Sequence, residues 1–221
     1  MLPRKDLRAA EHFLEGAVPG CAALVRPIAC LQGRLFPAEE KHICGSASKR
    51  QREFIATRTA AREAMRKLGL PPQPVLKGQG GEPLWPAGIV GSLSHTDRVC
   101  GCILAPRKRY LSLGLDLEDP RRMKERLFPR ILTPEERDTL SILPRPRSLL
   151  LATAIFSAKE ACIKCFYPVL GTSLRLKEMR VRFTRENKFE IMGAKGWRLE
   201  GVYLLYEDLV ITALALPPRG K

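Results

Sequence analysis

Asp116 and Glu118 stand two apart in Gly114-Leu-Asp-Leu-Glu118, and Glu160 and Lys164 stand four apart in Phe156-Ser-Ala-Lys-Glu-Ala-Cys-Ile-Lys164. In the first segment Leu113, Leu115 and Leu117 alternate with the other positions, which predicts a strand with both carboxylates on one face. Adjacent carboxylates repel each other, so such a pair calls for a cation. These two, a third carboxylate from Glu160 and several waters describe a Mg²⁺ site that also expects substrate phosphates. In the second segment the spacing places Glu160 and Lys164 one turn apart on a helix. A lysine beside a metal-bound carboxylate would neutralise a phosphate oxygen or help to activate a hydroxyl nucleophile. Each pattern also has a plainer explanation. An isolated Asp-x-Glu marks many solvated strand faces, and Glu-x3-Lys many ordinary surface pairs.

Other residues could serve the same chemistry. Gly91-Ser-Leu-Ser-His95 ends a strand and enters a polar loop, where Ser94 and His95 would donate hydrogen bonds to phosphates; a strand-end histidine is as often structural. Arg50 and Arg58 lie two turns apart on a predicted helix, with Lys77 in the loop beyond. Arg's bidentate fork suits a phosphate monoester, although a chain this basic carries arginine on many helices. The run Gly78-Gln-Gly-Gly81 lacks P-loop spacing. Cys162-x-x-Cys165 falls inside a predicted helix and no second pair has zinc-ribbon spacing, which disfavours structural zinc.

Two α+β halves would position these residues. A helix runs from about Ser46 to Leu68, with Phe54, Ala61, Met65 and Leu68 at core spacing. A Gly- and Pro-rich loop follows, then short strands near Ile89–Ser94, Val99–Ala105 and Leu111–Glu118. In the second half Thr133-Pro-Glu-Glu136 combines an N-cap, Pro at the first helical position and a capping-box glutamate. A longer helix spans about Arg147–Phe166. Strands follow at Met179–Phe183, Lys188–Met192, Trp197–Leu205 and Leu209–Leu216, with Glu186-Asn187 as a hairpin turn. No short repeat or low-complexity tract is visible. The expected fold class is α+β in two pseudo-duplicated halves, each a helix packed on a mostly antiparallel sheet, with the active site at their interface. The expected domains are residues 1–118, a connecting segment 119–130, and residues 131–221.

The composition is that of a folded chain: 221 residues, 45% hydrophobic and 28% charged. No apolar run reaches membrane-spanning length, and the N-terminus lacks a secretory h-region. Seven scattered cysteines fit a reducing cytoplasm better than a disulfide scaffold. The outlier is charge: 38 Lys and Arg against 23 Asp and Glu give +15, which attracts polyanions. Nucleic-acid fingerprints are lacking, and 6% aromatic content argues against a base-stacking surface.

In order along the chain, Arg50-x7-Arg58, Lys77 with Gly81-Glu-Pro-Leu-Trp-Pro86, Gly91-Ser-Leu-Ser-His95, Gly114-Leu-Asp-Leu-Glu118 and Phe156-Ser-Ala-Lys-Glu160-x3-Lys164 resemble the 4′-phosphopantetheinyl transferases. The likeness is to the monomeric, two-half type that serves siderophore, nonribosomal peptide and polyketide synthesis. It covers about Arg50 to Phe166. The resemblance implies transfer of the phosphopantetheine arm of coenzyme A to a serine hydroxyl of an apo carrier protein, releasing adenosine 3′,5′-bisphosphate. Asp116, Glu118 and Glu160 would then hold Mg²⁺. Glu160, directly or through water, would be the general base, and Lys164 would stabilise developing charge. His95 and Ser94 would contact coenzyme A phosphates, Arg50, Arg58 and Lys77 its 3′-phosphate end, and Glu82 and Pro83 would belong to the coenzyme-binding segment.

Partners implied by the resemblance are coenzyme A and acidic carrier domains, for a cytoplasmic monomer acting on neither nucleic acid nor membrane. Arg121, Arg122, Lys124 and Arg126, next to the metal strand, are candidates for steering a carrier. The rivals are a metal-dependent nuclease and a basic nucleic-acid-binding module. Nuclease cores commonly place Glu and Lys two apart on a strand, whereas here they are four apart on a helix.

Overall fold

The computed structural model describes residues 7–184 and 186–218. The helices are α1 (Arg8–Ala17), α2 (Pro37–Glu40), α3 (Ser48–Lys67), α4 (Phe128–Ile131), α5 (Pro134–Ser141) and α6 (Arg145–Leu170). The strands are β1 (Ala22–Pro27), β2 (Leu76–Lys77), β3 (Pro83–Leu84), β4 (Ile89–His95), β5 (Val99–Pro106), β6 (Ser112–Glu118), β7 (Met179–Phe183), β8 (Lys188–Gly193), β9 (Arg198–Tyr206) and β10 (Leu209–Leu216). The chain divides after Leu113: a first unit runs up to it and a second spans Gly114–Leu216.

In the first unit α3 lies on an antiparallel sheet of order β1-β5-β4. Ala56, Ala60, Ala61 and Ala64 are fully buried along one face of α3, and such small side chains let a helix lie close to a sheet. Met65, Cys100, Cys102 and Leu104 complete that core. Of the four positions expected to face it, Ala61 and Met65 are buried, while Phe54 and Leu68 are only partly so. Phe54 instead carries the Arg58 guanidinium 4.0 Å above its ring. Among the elements that the sequence reading lacked are α1 and β1. Glu11 and Glu15 of α1 accept hydrogen bonds from the backbone N–H groups of Val25 (2.9 Å) and Ala23 (3.0 Å) on β1.

The second unit packs α6 on a five-stranded sheet of order β6-β10-β9-β8-β7. Helix and sheet are tied by a buried hydrogen bond between the Ser157 and Thr212 hydroxyls (2.8 Å). Here α6 starts two residues earlier than expected and continues through Pro168 to a left-handed Gly171. Two of the expected boundaries are corrected. The strand β6 belongs to the second sheet, so Asp116 and Glu118 lie in the second unit. The segment 119–130 is likewise part of that unit: Met123 is buried in its core and Leu127 and Phe128 pack against it. No helix among the described residues is long and apolar enough to cross a membrane.

Candidate active site

Position 114 brings α6 and β6 together. A Cβ there would run into the Ala161 backbone and Cys165, so only glycine lets the helix approach this strand face. Gly114, Asp116 and Glu118 share that face by alternation. Asp116 is 3% exposed, and the Lys164 ammonium stands 2.7 Å from its Oδ1 and 3.2 Å from the Leu115 carbonyl. Burial first and the charge of Asp116 second push Glu118 up to about 7, against the opposing pull of Lys164 and Arg122. Glu160 is raised for the same two reasons, with Lys164 again opposing. Three carboxylates and one lysine thus share a poorly solvated face, as the two sequence motifs predict. Among the described residues no three His, Cys, Asp or Glu side chains stand ready-made around an ion. As it stands, Asp116 is neutralised by Lys164.

Next to Glu160 in sequence, Lys159 is fully buried. Its ammonium donates to Glu136 Oε2 (2.6 Å) and to the Ile131 carbonyl (2.8 Å). Glu136 also accepts from the backbone N–H of Thr133 and of Val181, both at 2.8 Å. The capping box expected at Thr133 is therefore present, and its glutamate additionally joins α5, α6 and β7. Burial lowers the Lys159 pKa, against the stabilising charge of Glu136. The sequence offered the capping-box signal for Glu136 but none for its lysine partner.

Arg50 is exposed in the first turn of α3. Arg58 is 6% exposed and donates from Nε to the Val75 carbonyl (2.9 Å); burial draws its pKa down to about 10, with Glu39 opposing. Lys77 is half-buried on β2, and its backbone N–H donates to His42 Nε2 (3.3 Å), a histidine the sequence reading passed over. Glu82 and Pro83 form the return of the β2–β3 hairpin, where the Glu82 carbonyl accepts from Gly78 N–H (2.8 Å). Ser94 is buried, and His95 is exposed with Nδ1 3.3 Å from the Thr96 carbonyl. Trp85 donates to the Gly91 carbonyl (2.8 Å), fixing the loop against the strand that ends in His95. Cys162 and Cys165 are both buried in α6 as thiols, so their spacing is a packing feature.

Two family models match the chain, and the second spans the acidic pair and the Glu-x3-Lys helix. The 4′-phosphopantetheinyl transferase N-terminal domain matches residues 38–105, and the 4′-phosphopantetheinyl transferase superfamily matches residues 112–214. The chain is 35% identical over 198 residues to the 4′-phosphopantetheinyl transferase Svp of Streptomyces mobaraensis, covering 84% of this chain and 80% of that one. It is 36% identical over 197 residues to PptT of Mycobacterium tuberculosis, covering 82% and 86%. To Npt of Nocardia iowensis it is 37% identical over 154 residues, covering 70% and 68%. The chain belongs to the 4′-phosphopantetheinyl transferase superfamily. The nuclease and nucleic-acid-binding alternatives find no support in these relationships.

Proposed function

We propose that the enzyme transfers the 4′-phosphopantetheine arm of coenzyme A to a carrier-protein serine with Asp116, Glu118 and Glu160 holding Mg²⁺. The observation that carries this reading is the crowding of three carboxylates on one poorly solvated face with Lys164 among them. Their donor set is all oxygen, which fits a hard divalent cation, and two of the three are raised by burial and by the charge of Asp116. When bound, Mg²⁺ would supply charge neutralisation at the pyrophosphate. The chain's own groups do the rest. Glu160 takes the proton of the serine hydroxyl as its oxygen attacks the phosphorus that bears the pantetheine arm. The bond from that phosphorus to the bridging oxygen breaks, and adenosine 3′,5′-bisphosphate leaves. Lys164 offsets charge on the phosphate oxygens.

In the first unit Arg58 and Lys77, with Arg50, are the proposed grip on the 3′-phosphate end, and Ser94 and His95 phosphate donors. Glu82 and Pro83 set the turn that presents Lys77. Carriers of polyketide, peptide or siderophore synthases are the proposed substrates, acidic around the modified serine and drawn in by the +15 charge. Within the proposed steering patch Arg121 is committed to Asp119 (2.6 Å) and Asp208 (2.8 Å) and Arg122 acts on Glu118, which leaves Lys124 and Arg126 as its better members. Action as a cytoplasmic monomer is part of the same reading. Incubating the purified protein with coenzyme A, Mg²⁺ and apo carriers should add the mass of the arm to the carrier. No gain on several carriers would refute it.

A further inference from the structure

The Glu136–Lys159 arrangement has a counterpart in the first unit. Glu39 of α2 accepts from the backbone N–H of Phe36 (2.9 Å) and of Val75 (2.8 Å) and pairs with buried Arg62 (2.9 Å); Arg62 also donates to the Arg34 carbonyl (2.8 Å). Every partner of the second-unit set is reproduced. An acid at the third position of a short helix returns to the N-cap backbone and receives the N–H of a residue on a strand (Val181 of β7) or just before one (Val75, ahead of β2). It pairs with a cation on the long helix, which in turn donates to a carbonyl just before the short helix. Arg34, Phe36, Glu39 and Arg62 have the same sequence spacing as Ile131, Thr133, Glu136 and Lys159. This register also aligns Ala61-Arg-Glu-Ala64-x2-Lys67 with Ala158-Lys-Glu-Ala161-x2-Lys164. The parallel extends to the lysines: Lys67 donates to the Ala23 carbonyl on β1 as Lys164 does to Leu115 on β6. On β1, however, Leu24 and Arg26 occupy the places of Asp116 and Glu118, so the first unit keeps the helix motif without the acidic strand.

We infer that the two buried acid–cation latches are positioning devices with separate duties, the Glu136–Lys159 latch setting Glu160 for turnover and the Glu39–Arg62 latch setting Arg58 and Lys77 for coenzyme A. The geometry divides the labour. Lys159 is the backbone neighbour of Glu160, and its ammonium fixes the rotation of α6 that aims Glu160 and Lys164 at Asp116. Glu39 holds Val75, whose carbonyl receives Arg58 and which leads directly into β2 and Lys77. Neither latch touches the reacting atoms. Both are buried, so each sets a side chain's place rather than its exposure. The inference rests on the roles given above to Glu160, Arg58 and Lys77.

Isosteric Glu136→Gln and Glu39→Gln variants test it, read by steady-state loading of an apo carrier and by calorimetric binding of coenzyme A and of Mg²⁺ alone. Removing a ligand's supporting partner usually costs about 10–100-fold in metal affinity or activity. Glu136→Gln should therefore lower kcat by about tenfold or more and weaken Mg²⁺, with the coenzyme A Kd within about twofold of the parent. Glu39→Gln should raise the coenzyme A Kd by about tenfold and leave kcat at saturation within about twofold. Charge-retaining Lys159→Arg and Arg62→Lys should recover part of each loss. Where a single variant fails to fold, Glu136→Met with Lys159→Met replaces the latch by apolar volume, and a folded double variant with full kcat overturns the positioning role. Equal loss of kcat and coenzyme A affinity in both Gln variants, or a change in melting temperature alone, also overturns it. A parent that loads no carrier refutes the transferase reading, whereas a loading parent with undivided variants refutes only the latches.

Discussion

At the scale of single residues, Asp116 is the carboxylate on which the site depends, because it is the one both buried and already neutralised by Lys164. Asp116→Ala should lower carrier loading by about 100-fold or more, as loss of a charge-stabilising group does. Lys164 is 30% exposed and can turn to water, so the stability cost should be only about 1 kcal/mol. A melting curve beside the loading assay checks both halves of that statement. Glu118 gives a pH prediction. Folding raises its pKa from 4.5 to about 7, so the folded chain holds that proton more tightly than the unfolded one. The contribution to stability is complete below the ordinary glutamate value and is lost as pH rises through about 7. Without divalent cation, the parent should lose stability over this window relative to Glu118→Gln, and Mg²⁺ should restore it. Parallel melting temperatures for the two proteins across the window would rule this out. Asp116, Glu118, Glu160 and Lys164 were legible in the sequence because period two and period 3.6 fix which side chains share a face. Arg62, Glu39 and Lys159 were not: a buried ion pair joins positions far apart in sequence, and no local spacing reports it.

At the scale of elements, the contact of β6 with α6 is set by Gly114. Gly114→Ala places a methyl against the Ala161 backbone, and the helix must shift or the strand bend. Overpacking of this kind costs about 1–3 kcal/mol, and the same shift moves Glu160 and Lys164 away from Asp116. Loading should fall by more than the melting temperature alone would explain; activity preserved at full stability would show that the approach tolerates slack. Helices and strands with clear periodicity, α3, α6, β7 and β10 among them, were readable within a few residues. The assignment of β6 to the first half failed because sequence order says nothing about which sheet a strand joins. β1 and α1 were passed over, although Leu7, Ala10, Leu14 and Val18 recur at helical spacing and are buried, because two or three turns of apolar periodicity are a short signal.

At the scale of the whole molecule, net charge and the internal repeat are the governing features. An acidic carrier steered by a +15 protein should associate more slowly as salt is raised, so its KM should climb with NaCl while kcat holds. Lys124→Glu with Arg126→Glu should flatten that dependence; a salt response identical to the parent's would remove the steering role from this patch. The duplication was legible as two halves of like plan, but its residue-by-residue correspondence was not, because the two copies share a hydrogen-bond scheme more than they share residues, Arg for Lys and Phe for Thr. The way α1 lies along β1 has a further consequence. As an end strand, β1 would offer a line of unpaired amides to any passing β-segment, and Glu11 and Glu15 close two of them with charge behind. A chain lacking Arg8–Ala17 should therefore fail by self-association through exposed backbone before it fails in catalysis. Light scattering that grows with protein concentration would register this, along with fast amide exchange at Ala23 and Val25.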